Sequence, residues 1–127
     1  MKMFGLGMLI AVAQNQASPP ATPIPVQIIG APQEKMTRKL DEAVRKKFQA
    51  DPRFVLTNNS PGAGLIIAMP KRIGWERRLD WTEIHFQARL SSPSGRTQVV
   101  ASHCWNWNLG ECGKWLTEAA AKFAAGQ

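Results

Sequence analysis

Between Glu83 and Leu90 the chain alternates strictly: Ile84, Phe86, Ala88 and Leu90 are apolar, while Glu83, His85, Gln87 and Arg89 are polar or charged. A period of two sends one set to a buried face and the other to water, which predicts a β-strand covered on one side only. A second period-two run precedes it. Leu65, Ile67, Met69, Lys71, Ile73 and Trp75 form an apolar face interrupted only at Lys71. Together the two runs predict a long hairpin, with Trp75 assigned to the core face. Pro70 falls on the opposite parity, and proline cannot donate to a ladder, so the first strand belongs at a sheet edge or is bulged at that point.

Elsewhere the period changes to that of a helix. Met36, Leu40, Ala43, Val44 and Phe48 recur at helical spacing, with Lys35, Arg38, Lys39, Asp41, Arg45 and Lys46 on the other side. Pro32 opens this helix, and Asp51-Pro52 ends it because the residue before proline is pushed out of helical geometry. A second helix carries Cys112, Trp115, Leu116, Ala119, Ala120 and Phe123 as its apolar stripe and closes at Gly126. Asn108 and Glu111, three residues apart, fit a capping box at its start. Short apolar runs at Val26-Gln27-Ile28-Ile29 and Phe54-Val55-Leu56-Thr57, and a longer one at 97–105, predict further strands. The predicted order is β-α-β-β-β-β-α. Its simplest packing is an α+β two-layer sandwich, a mostly antiparallel sheet of four or five strands with both helices on one face.

The first 25 residues follow neither period. Lys2 precedes an uncharged, largely apolar run over 4–12, and Ala11-Val12-Ala13 supplies small residues where a signal peptidase cuts. Residues 1–13 are therefore expected to be a cleavable signal peptide, with Gln14 as the mature N-terminus. Residues 14–25 carry Pro19, Pro20, Pro23 and Pro25 and read as an extended leader. Residues 26–125 form one α+β domain. The apolar run is far shorter than the ~20 residues of a membrane-spanning helix, so no span is expected. A periplasmic or secreted protein is the expectation, with peripheral membrane contact left open.

That location changes the reading of the cysteines. Cys104 and Cys112 are the only two in the chain. In an oxidising compartment two cysteines are read as one disulfide, here joining the end of a strand to the start of the last helix. The competing reading is a thiol or metal site on His103, Cys104 and Cys112 that recruits His85, the other histidine. Its spacing matches neither C-x-x-C nor a paired zinc-ligand pattern. No nucleophile elbow, phosphate-binding glycine loop or H-E-x-x-H occurs, so no catalytic residue, metal or cofactor is assigned.

Charge supplies the remaining hint. The chain carries 16 basic and 9 acidic residues, a net +7, which favours acidic partners. Export argues against nucleic acid as that partner. Lys71, Arg72, Arg77 and Arg78 surround Trp75 and Trp81 along the predicted hairpin. Cations interleaved with tryptophan are what an interface with phosphates, headgroups or an acidic protein requires. Trp105 and Trp107 lie inside the predicted disulfide loop, either capping the core or stacking on a partner.

The segment from Leu40 to Thr57, an amphipathic helix followed by Asp51-Pro52-Arg53-Phe54-Val55-Leu56-Thr57, resembles the helix-to-strand passage in small α/β domains of bacterial envelope proteins. These include the TolB amino-terminal domain and the curli-secretion lipoprotein family. The resemblance spans residues 26–123 and implies an accessory role in the cell envelope. It carries no functional residue across, and the chain departs from the lipoproteins in having no lipobox cysteine. The expected function is a non-enzymatic exported binding protein that contacts an acidic envelope component or partner protein. A secreted inhibitor or effector is the alternative.

Overall fold

The computed structural model describes residues 22–30, 32–58 and 64–126; the expected signal peptide and most of the leader lie outside them. Strand β1 (Ile24–Ile29) leads into helix α1 (Lys35–Ala50), followed by β2 (Phe54–Leu56), β3 (Leu65–Ala68), β4 (Gly74–Arg78), β5 (Trp81–Ser91), β6 (Thr97–Trp105) and helix α2 (Gly110–Ala125). The described residues make an α+β fold with one mixed, six-stranded sheet and two helices. β1 lies between β2 and β3 and pairs parallel with both; β3 then meets β5 antiparallel. A parallel pair needs a crossover between its strands, and α1 supplies it from β1 to β2.

β5 organises the other half. Along one edge it pairs with β6 from Glu83 to Ser91, and it also pairs with β3 at Arg89–Ser91 and with β4 at Trp81–His85. The expected long first strand is thus two strands broken at 69–73, where Pro70 lies. The alternation of β5 is as expected, with Thr82, Ile84, Phe86, Ala88 and Leu90 buried. Its turn into β6 holds Gly95 at φ 92°, a conformation that suits a residue without a Cβ.

The core lies between one sheet face and the paired helices. Val26, Ile28, Leu65, Ile67, Ile84 and Leu90 meet Leu40, Val44 and Phe48 of α1 and Leu116, Ala120 and Phe123 of α2. Phe48 packs edge-on to Phe54 with ring centroids 4.9 Å apart. At Gly113 the helices approach so closely that an added Cβ would lie 2.6 Å from Lys47 Cγ and 3.2 Å from the Ala43 carbonyl oxygen.

Three local expectations are corrected. Asp41 is buried rather than solvated: Arg45 Nε donates to its carboxylate at 2.7 Å while Arg45 Nη2 donates to the Ile28 carbonyl at 2.9 Å, tying α1 to β1. α2 starts one residue later than a cap at Asn108 implies, with Leu109 at the cap position and no side-chain cap bond. Trp115 points outward at 60% exposure, and Gly113 and Thr117 take buried places on the helix instead. At ~100° per residue Trp115 lies about 200° around α2 from Gly113, outside the arc that Gly113, Leu116, Thr117 and Ala120 turn toward α1 and the sheet.

Candidate functional site

The sheet ends in a ribbon that the helices leave uncovered. All five residues of β4 are exposed, as expected of the last strand on its side of β5. A two-residue turn, Leu79-Asp80, joins it to β5, with Arg78 opposite Trp81 as the closing pair. Such hairpins need positive φ in the turn and normally use glycine or asparagine. Here Leu79 takes φ 49° and is 93% exposed. A left-handed conformation costs a branched residue about 1–2 kcal/mol, and no burial of its side chain offsets that.

Sequence reasoning placed four cations on this ribbon, and the structure separates them. Lys71 and Arg72 are exposed in the 69–73 connection, while Arg77 and Arg78 sit at the far end of β4. At ~3.3 Å per residue, Arg72 and Arg77 are roughly 16 Å apart along the chain. Arg77 stands opposite Thr82, on the side of the sheet that the helices cover elsewhere. Among the described residues it forms no ion pair. Arg78 points the other way and is engaged: its Nη2 lies 2.9 Å from Glu76 Oε1 and its Nε 3.3 Å from Glu83 Oε1.

The tryptophans divide likewise. Trp75 is opposite Ile84, so its parity is the core parity, yet it is 59% exposed because no helix reaches this edge. This corrects its expected burial. Trp81 and Trp107 pack against each other on the outer face, centroids 6.0 Å apart and planes inclined by 56°. Trp105 is half-buried at the end of β6, opposite Glu83. The loop carrying Trp107 is pinned to β5 by reciprocal bonds at 2.9 Å: Thr82 N–H donates to Asn106 Oδ1, and Asn106 N–H donates to the Thr82 carbonyl.

Cys104 and Cys112 are joined as a disulfide with Cα atoms 5.4 Å apart, and both are buried. The thiol or metal reading built on His103, Cys104 and Cys112 is therefore overturned. A disulfide sulfur is neither a thiolate nucleophile nor a zinc ligand. Alternation along β6 also turns His103 outward while Cys104 faces the core. His103 instead stacks on His85 across the ladder, centroids 6.0 Å apart with planes 22° from parallel. Beside them Glu76 and Glu83 stand directly opposite each other. Among the described residues, these outer-face side chains have the chemistry to hold a metal.

Leu79 escaped sequence reasoning because a leucine gives no turn signal. Its only trace was its place midway between two runs of opposite alternation.

No protein-family model matches the chain, and no curated protein does. Among solved structures, a minor lipoprotein from Acinetobacter baumannii superposes with a TM-score of 0.42 at 8% identity, covering 80% of this chain and 93% of that one. A likeness so distant carries no argument about function. No helix of the described residues is long and apolar enough to cross a membrane.

Proposed function

We propose that this is a non-enzymatic binding protein, exported to the periplasm or beyond, that seizes an acidic partner with the β4–β5 hairpin. The observation that carries the reading is the hairpin tip. Backbone strain at an exposed apolar residue is retained where function needs it, and Leu79 combines positive φ with almost complete exposure. Behind it stand the Trp81–Trp107 pair and Trp75, large flat surfaces of the kind that anchor interfaces. Arg77, Lys71 and Arg72 supply positive charge around them. The buried disulfide fits an oxidising compartment, which supports the extracytoplasmic location.

Binding of purified protein to anionic vesicles, to lipopolysaccharide and to an envelope-extract pull-down tests this reading. At least one of these should capture the wild type and release it as salt rises, because screening shortens from ~10 Å at 0.1 M to ~3 Å at 1 M. Arg77→Glu with Lys71→Glu should abolish capture without altering the fold, since both sites are exposed. Leu79→Gly should weaken capture while leaving stability equal or higher. Undiminished capture by both folded variants would show that the hairpin is only a solvated edge.

A further inference from the structure

On the outer face of the β4–β5–β6 ribbon, two like pairs stand side by side. Glu76 is directly opposite Glu83 across β4 and β5. His85 is directly opposite His103 across β5 and β6. Like charges directly opposite in a ladder destabilise it, yet here two of the nine acidic residues of a strongly basic chain face each other. Beside them are both of its histidines. Glu83 is only 15% exposed in its side chain, so its charge also bears a desolvation cost. Such an arrangement gains most when a cation sits between the groups.

We propose that Glu76, Glu83 and His85, with His103 beside them, bind a divalent transition-metal ion of the zinc type. One donor atom from each of the first three lies within 4.8 Å of the others. Zinc holds imidazole nitrogen and carboxylate oxygen at ~2.0–2.1 Å, which places neighbouring ligands of a tetrahedron roughly 3.3 Å apart. His85 Nε2 is 3.4 Å from Glu83 Oε1 and 3.9 Å from Glu76 Oε1. Small side-chain rotations reach coordination distance. Imidazole together with carboxylate selects zinc, copper or nickel over magnesium and calcium, which prefer all-oxygen shells. Arg78 is the internal competitor, since its guanidinium contacts both carboxylates. Metal binding displaces it. The site does not involve Lys71, Arg72 or Arg77 and is independent of the hairpin's proposed role.

Titration calorimetry of the disulfide-intact protein with zinc chloride in a non-chelating buffer tests the site, with magnesium chloride in parallel. The expected result is one zinc per chain and no magnesium binding. His85→Ala and Glu83→Gln, each checked for unchanged circular dichroism, should weaken zinc at least ~10-fold. Arg78→Ala should tighten it, a direction that simple loss of surface structure would not produce. Imidazole nitrogen resonances of His85 and His103 should shift together on addition of zinc. The proposal is overturned if the wild type binds no stoichiometric zinc. It is equally overturned if the folded His85→Ala and Glu83→Gln variants bind zinc as the wild type does.

Discussion

Reducing the Cys104–Cys112 bond deletes one constraint while keeping every atom of the side chains and adding only two hydrogens. The cysteines are eight residues apart in sequence. In the chain-entropy description, a closed loop of that size removes about 8 cal/mol/K from the unfolded ensemble, or about 2.5 kcal/mol at 25 °C. Against the ~5–15 kcal/mol of a typical domain this is a large share. The expected fall in the urea midpoint is roughly 1–2.5 M at ordinary m-values, and in Tm roughly 10–20 °C for a domain of this size. Both are read by circular dichroism with and without a phosphine reductant, with mass spectrometry confirming two alkylatable thiols in the reduced sample only. Because Cys104 and Cys112 are both buried, reduction in the native state should be slow and should accelerate in urea. Identical midpoints for the oxidised and fully reduced protein would refute the reasoning: the unfolded chain would already be held together locally across this loop. Two reactive thiols in unreduced protein would refute the pairing itself.

Gly113→Ala should destabilise the protein by about 1–3 kcal/mol, measured by urea unfolding. The new methyl would meet Lys47 Cγ at 2.6 Å, Lys47 Cβ at 3.0 Å and the Ala43 carbonyl oxygen at 3.2 Å, and the last two are fixed to the backbone of α1. Arg53 draws the Asp51 carboxyl below the usual aspartate range, chiefly through their side-chain hydrogen bond, and lowers Glu118 in the same way. Carboxylates with depressed folded-state values stabilise above the ordinary range and lose that contribution as pH falls through the folded values. Arg53→Gln should therefore melt lower than the wild type at pH 7, with the gap closing as pH drops below ~4. A gap that keeps its size under strongly acidic conditions would place the effect instead in the contact of the Arg53 guanidinium with the Phe54 ring, 5.7 Å from its centroid.

Much of this fold was legible because period and burial agree where an element is covered by one neighbour only. β5 keeps its sequence alternation residue for residue, and Leu40, Val44 and Phe48 of α1 face the core as their spacing implies. Reading failed where a second body decides the outcome. Asp41 is buried because Arg45 reaches it and the Ile28 carbonyl together. Trp115 lies outside the core because packing against α1 rotates the buried arc of α2 toward Gly113 and Thr117, and Trp75 is uncovered because the helices stop short of β4. The parallel placement of β1 against β3 depends on strands nearly forty residues apart in sequence, which no local pattern reports. For the same reason the pairing of His85 with His103, and of Glu76 with Glu83, needed the register of three strands. Alternation along β5 had already turned Glu83 and His85 outward.

The break between β3 and β4 sets five residues, Met69 to Ile73, against three on β5, Phe86 to Ala88. The surplus is two, an even number, so side-chain parity passes through the interruption unchanged. Ile67 opposite Leu90 and Trp75 opposite Ile84 accordingly lie on one face of the sheet. Yet β4 takes its register from β5 through the two-residue turn, so removing a residue from 69–73 would shorten the connection and leave Trp75, Glu76, Arg77 and Arg78 on their present faces. The connection can therefore vary in length without exchanging the chemistry of the ribbon's two faces, which the register of β4 on β5 holds in place.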